Sequence, residues 1–437
     1  MNRKIRLYAA VTLVALFVAG CSGPCDRLDR INAPAVRGGS ADFTTYVALG
    51  TSISAGGQSG GLVETHQAQA FPALFAQQIH AAAFTYDRVS PDGIPPLLRL
   101  VSLSPLVVTN AGRTLGAPRD LAQPTPYHNL GVYGSLLYDV DSTTYYAISP
   151  YAAFFGMVAR GQGSLLHQAA ALEPTFLSIE YGANEVLGAA LMGSGTPLNS
   201  VPQFSAILGY TLADVHTLCP NARLALFNVP DVTSIPYVTT VKPYVVNPAN
   251  GAHIPLVGPT GLLSESDYVL LTAIDSLKVG TGLLVAAGGN GRPLLGSQVL
   301  TVDEAAGLQV AVDGYNAAIA SAAATYGAAL VDLHGLFQRI ATSGYDFQGV
   351  HYTGTFITGG LFSLDGVHPT DLAQGLLANA MIDAVNAKFG SSVPHVDLHR
   401  VATYTSSSAQ PAREEGGSPW PQVEGLGDML AVLGARR

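Results

Sequence analysis

The sequence predicts an α/β domain built on a parallel sheet with helices over both faces. Three observations lead there. Short apolar runs at 44–50 (TTYVALG), 175–181 (TFLSIEY), 222–229 (ARLALFNV) and 328–333 (AALVDL) end in turn residues and have the length of buried strands. Longer stretches at 70–83, 156–172, 201–218, 303–326 and 370–389 suit helices. The two kinds alternate along the chain, which is the pattern of a parallel sheet rather than of hairpins. The first run and 70–83 open the domain, and 370–389 closes it. Two segments interrupt the alternation. Residues 84–126 are Pro-rich and contain LRLVSLSPLVVT at 98–109, which alternates well enough for a hairpin. Residues 231–302 read as a long Gly/Pro-rich insertion.

Composition narrows the class. The chain has 437 residues, enough for one large domain with insertions or for two domains. Apolar residues make up 48% and charged residues 12%, against roughly a quarter charged in ordinary globular chains, which excludes wholesale disorder. The net charge of -9 leaves no basic excess to neutralise phosphates, so nucleic acid is not an expected partner. Three cysteines are too few for a disulfide scaffold or a zinc site built from cysteine. No H-x-x-x-H pair or His/carboxylate cluster suggests a metal. No internal repeat is visible.

The N-terminus reads as an address. MNRKIR carries three positive charges, residues 7–20 are apolar or small, and Cys21 follows. Fourteen such residues are short for a helix that must cross a bilayer, which takes about 20. Val18-Ala19-Gly20-Cys21 resembles a bacterial lipobox, which implies cleavage before Cys21 and its lipidation; a plain signal peptide or anchor is the other reading. Loss of Arg3, Lys4 and Arg6 takes the net charge from -9 to -12. The expected organisation is a signal peptide at 1–20, a tether at 21–42, a folded domain at 43–392 and a flexible tail at 393–437. The expected location is the cell envelope, on the outer membrane if the source is Gram-negative. A bridge between Cys25 and Cys219 is open in an oxidising compartment.

Four places combine a strand end with reactive side chains. In an open parallel sheet the ligand crevice lies at those ends. Ser52 follows Gly50-Thr51 directly after the first strand. A serine needs a base to become a nucleophile, and a serine there also serves as a helix N-cap. Asp365-Gly-Val-His368-Pro puts a carboxylate three residues before a histidine, the usual general base near neutral pH. Such an Asp can hold the far ring nitrogen as the third member of a triad does; an Asp-Gly turn with a surface His is the plainer alternative. Asn184 follows the strand TFLSIEY in GANE, where its amide suits either an oxyanion or a helix cap. Gly134 lies in NLGVYG, where a glycine lets the backbone N–H approach a ligand or simply makes a turn.

These four blocks, in this order, resemble the SGNH family, also called GDSL esterases and lipases. They read ALGTSISAGGQSGGL, YHNLGVYGSLLYDV, IEYGANEVLGAAL and FSLDGVHPT, and the likeness spans roughly 44–390. It implies a three-layer α/β/α sandwich of flavodoxin-like order and ester hydrolysis through an acyl-enzyme, without metal or cofactor. It also implies roles: Ser52 as nucleophile, His368 as base, Asp365 as its orienter. The oxyanion hole would be the Ser52 N–H, the Gly134 N–H and the Asn184 side chain, with Gly112 and Gly116 as weaker candidates for the glycine block. Thr51 stands where the family has Asp in GDS, and Glu185 where it has Asp in GxND. Neither is a triad position, yet both change hydrogen bonds that shape the site.

The remaining candidates are side notes. His66 lies near the nucleophile loop, His334 in DLHGLF ends a predicted strand, and His351 precedes the DxxH block; each suits a packed or solvated histidine as well as a substrate contact. Tyr237, Tyr244 and Pro236 are placed to frame one side of the crevice. The expected partners are an ester substrate (a lipid, an acetylated glycan or a small ester) and a membrane reached through Cys21. The competing readings are an SGNH-fold lipoprotein that binds acylated ligands without turnover, and a structural envelope lipoprotein.

Overall fold

The computed structural model describes residues 36–103, 106–405 and 422–423. The chain divides into two units between Arg37 and Gly38, and the sheet and its helices lie in the second. Five strands form a parallel sheet: β1 (Tyr46–Gly50), β2 (Asn129–Gly131), β3 (Phe176–Glu180), β4 (Arg223–Phe227) and β5 (Ala329–Val331). Their order is β5-β4-β3-β1-β2, with Gly50 in register with Glu180 on one side and Gly131 on the other. All of β1 and β3 is buried, which explains why neither reads as a clean polar–apolar alternation.

Helices cover both faces. On one, α2 (Phe71–Gln78) packs with α7 (Asp371–Phe389); on the other, α4 (Val201–Leu218) packs with α5 (Val302–Tyr326). The short α1 (Ser52–Ala55) and α3 (Ala183–Leu191) start at the carboxyl ends of β1 and β3, and α6 (Leu333–Thr342) follows β5. Starts and stops are local chemistry. Ser200 with Gln203, and Thr301 with Glu304, form capping boxes at α4 and α5, and α5 ends at Gly327 in the left-handed region. Phe43, Tyr46, Phe75 and Phe176 pack ring against ring at the base of β1 and β3, with centroids 5.0–6.0 Å apart.

Several elements differ from expectation. Helix 70–83 stops at Gln78 because His80 takes a positive φ of 54°. The stretch 156–172 is two short helices, Ala152–Val158 and Leu165–Ala170, separated by positive φ at Arg160, Gly161 and Gly163. The 231–302 insertion holds small antiparallel pairs, 244–246 with 253–255, 257–258 with 261–262, and 268–269 with 299–300. Arg99–Leu103 and Leu106–Thr109 pair antiparallel as the expected hairpin, bulged at Leu100–Ser102, and Gln422–Val423 pairs in parallel beside it. The folded body runs past 392: Val393, Val396, Leu398 and Val401 are buried, and α8 (Leu398–Thr405) packs on α7 where Gly375 leaves room for Leu398.

Candidate active site

Read from its other edge, the sheet order is 2-1-3-4-5, so the strand order reverses between β1 and β3. A crevice opens at such a switch point, outside the carboxyl ends of the strands. Ser52 leaves β1 there as the first residue of α1, and Asn184 leaves β3 there in the first turn of α3.

The loop before α7 brings the Asp365–His368 block to the same place. His368 Nε2 lies 2.9 Å from Ser52 Oγ, and its Nδ1 lies 2.8 Å from Asp365 Oδ2. All three side chains are buried. Asp365 is held by five donors. Oδ2 accepts from the His368 ring and the Gly60 amide; Oδ1 accepts from the amides of Val367 and His368 and from the Ser363 hydroxyl. Burial pushes this carboxyl up, but the facing His368 and these hydrogen bonds outweigh it and hold it below the usual carboxylate range. With Asp365 ionised, Nδ1 carries the proton and Nε2 is free to accept from Ser52. The Tyr133 ring packs 5.0 Å from the imidazole and helps seal it from solvent.

The oxyanion candidates lie on one side of this line. Asn184 Nδ2 donates to the Ser135 carbonyl at 2.8 Å, tying the turn at 134–135 to α3. Gly134 has φ +72°, and a Cβ there would fall 2.3 Å from the Tyr151 ring, so the turn requires glycine. Gly134 and Asn184 both line a cavity of about 220 Å³, whose wall continues through Leu136, Tyr151, Met192 and Leu198. The Ser52 amide, at the first position of α1, is one of the donors that a helix start leaves without an intrahelical partner. Gly112 and Gly116 lie elsewhere, in the 84–126 insertion, where the Gly116 amide donates to Gly93.

Both departures from the family pattern have partners. Glu185 accepts the Leu137 amide at 2.8 Å and so supports the loop that carries Gly134. Thr51 donates its amide and hydroxyl to Glu180, a buried carboxyl at the end of β3. Sequence reading passed over Glu180, Tyr133 and the Gly60 amide. All three stand inside the motif blocks, but nothing in their spacing marks them.

The other candidate histidines, His66, His334 and His351, have structural partners. His66 pairs with Asp371 at 2.9 Å, and Asp371 also accepts from Gln58. His334 lies in α6 rather than at a strand end, 3.1 Å from the Val229 carbonyl. His351 pairs with Asp346 across an exposed hairpin. Tyr237 is buried, and its amide donates to Gly366 beneath the Asp365–His368 turn; Pro236 starts the same short helix. Tyr244 stacks on His253 in an outlying hairpin. Cys219 is a buried free thiol; Cys21 and Cys25 fall outside the described residues. Among the described residues, no group of three or more His, Cys, Asp or Glu could hold a metal ion, and no helix is long and apolar enough to cross a membrane.

A parallel sheet with Ser, His and Asp at its switch point defines an α/β hydrolase of the SGNH type. The chain belongs to the GDSL-like lipase/acylhydrolase family, whose profile matches residues 46–381, and it is an ester hydrolase of that family. Among solved structures it is similar to LAE5, an α/β hydrolase enzyme from the metagenome of Lake Arreo (14% identity, 79% of this chain and 96% of that one, TM-score 0.35). It is also similar to phospholipase A1 from Streptomyces albidoflavus (14%, 78% and 98%, 0.34) and to an extracellular lipase from Streptomyces rimosus (15%, 78% and 98%, 0.33). No curated protein matches.

Proposed function

We propose that the protein is a membrane-anchored serine esterase or lipase in which Ser52, His368 and Asp365 are the triad. The observation that carries this reading is the continuous hydrogen-bonded line from Ser52 Oγ through both ring nitrogens of His368 to Asp365. His368 Nε2 takes the Ser52 proton as Oγ bonds to the ester carbonyl carbon. The carbonyl oxygen gains the negative charge, and the Ser52 amide, the Gly134 amide and the second N–H of Asn184 are the donors for it. The tetrahedral centre collapses, the C–O bond to the alcohol breaks, and His368 returns its proton to the departing oxygen. Water then attacks the acyl-enzyme with its proton passing to His368, and the acid leaves as Ser52 recovers its own. The cavity beside the donors has Leu136, Ala189, Met192 and Leu198 in its otherwise mixed wall, and these apolar side chains suit an acyl chain.

Hydrolysis of p-nitrophenyl acetate tests the reading. Activity in the wild type that vanishes in Ser52→Ala supports it. A folded wild type no faster than Ser52→Ala on acetate, on longer acyl esters and on acetylated glycans overturns it. Anchoring is proposed through lipid on Cys21, on the strength of the basic, apolar and small-residue sequence before it. Cys21→Ala is expected to move the protein from the membrane fraction to the soluble one; an unchanged distribution removes the anchor.

A further inference from the structure

Glu180 takes no part in the transfer just described, yet it sits against the turn that presents the nucleophile. It is 2% exposed. Its Oε2 accepts the Thr51 amide at 3.0 Å, the Thr51 hydroxyl at 2.9 Å and the Ser54 hydroxyl at 3.0 Å, while Oε1 lies 3.1 Å from the Thr51 hydroxyl. These partners stand on either side of Ser52 in a single turn. Glu180 reaches them because it is in register with Gly50, the last residue before the turn. A Cβ at position 50 would fall 2.0 Å from Ser54 Oγ and 3.1 Å from Glu180 Oε2, so the cradle exists only over a glycine. A buried carboxyl is costly unless its oxygens are bonded. Here they are bonded only while the Thr51–Ser54 turn keeps its shape.

We infer that Glu180 is a positioning residue for the nucleophile: it clamps the turn so that Ser52 Oγ stays within reach of His368 Nε2, and Thr51 is its matched partner. The inference rests on the reading of Ser52 as nucleophile. It accounts for the hydroxyl at position 51. Thr51 is 1% exposed, and an Asp there would set a second carboxylate against Glu180 in a buried site, where like charges at such range do not both ionise. Where a GDS turn carries its carboxylate on the residue before the nucleophile, this turn has a hydroxyl there and the carboxylate comes from Glu180.

The test is steady-state kinetics at pH 8 on the full chain with p-nitrophenyl acetate. Glu180→Gln is expected to lower kcat about tenfold or more while KM stays within about twofold, as misplacement of a reacting group does. Thr51→Val is expected to fall likewise, and Thr51→Ser to retain more of kcat than Thr51→Val. Thr51→Asp is expected to be impaired, and the double variant Thr51→Asp/Glu180→Gln to recover part of that loss. A wild-type kcat in folded Glu180→Gln overturns the inference, as does a double variant no faster than Thr51→Asp alone. If Glu180→Gln does not fold, the Thr51 series decides: equal kcat in the Val and Ser variants overturns it. An active wild type with those results refutes this inference alone, whereas a wild type no faster than Ser52→Ala on this ester, on longer acyl esters and on acetylated glycans refutes the esterase reading beneath it.

Discussion

Two buried carboxyls at the centre of the molecule are driven in opposite directions. Asp365 is held below the usual range, so its ionised form stabilises the fold at neutral pH and that contribution is lost as the medium becomes strongly acid. Glu180 is pushed up to about 7, first by burial, with the hydrogen bonds from Thr51 and Ser54 only partly offsetting it. Its contribution to stability is therefore full below its unfolded value of 4.5 and is lost as pH rises through about 7. That is roughly 3 kcal/mol across the interval. The unfolding temperature of the wild type should fall from pH 5 to pH 8, and Glu180→Gln should flatten that slope; parallel slopes would show that Glu180 does not titrate there. At the oxyanion, Asn184→Ala is expected to lower kcat about 10²–10³-fold, and a normal rate would remove Asn184 from the hole. At this scale the sequence was legible where chemistry is local. Asp365 and His368 lie three residues apart, and Ser52 directly follows a strand. Glu180 was not legible, because its meaning depends on Thr51, 129 positions away, and its own strand reads as apolar.

The elements that hold these residues were legible in proportion to their own chemistry. Helices α4 and α5 lie where length and composition put them. The pair of short helices at 152–170 was read as one because apolar content says nothing of the left-handed residues at 160–163. Helix α3 also forms a wall of the cavity. A Cβ at Gly188 meets nothing within 4 Å, so a larger side chain there enters the cavity rather than the core. Gly188→Leu should lower kcat/KM for octanoyl esters far more than for acetyl esters, and equal losses on both would show that the acyl chain lies elsewhere. Beneath the sheet, Phe176 is fully buried among aromatic rings. Phe176→Ala is expected to cost about 3–5 kcal/mol, read from the denaturant midpoint, with the cost set by how little those rings can close the void.

For the molecule as a whole, alternation of strands and helices was enough to predict a parallel sheet. The strand order, flavodoxin-like 2-1-3-4-5, came only through the family resemblance, because it depends on pairings across long stretches of chain that no local pattern marks. The insertions were visible as breaks in the alternation, but their small paired segments carry too few residues to show a period. That wiring sets when the enzyme comes into being. β1 lies inside the sheet, yet its partners arrive with residues 129–131 and 176–180, and the Ser52–His368 contact spans 316 positions. Contacts of such separation make folding slow, since loop closure precedes any reward. A ribosome therefore releases Ser52 long before His368. Under the proposed triad, until residue 368 has emerged and joined the first strand the nascent polypeptide has a serine with nothing to take its proton, and hydrolytic power waits for that late segment.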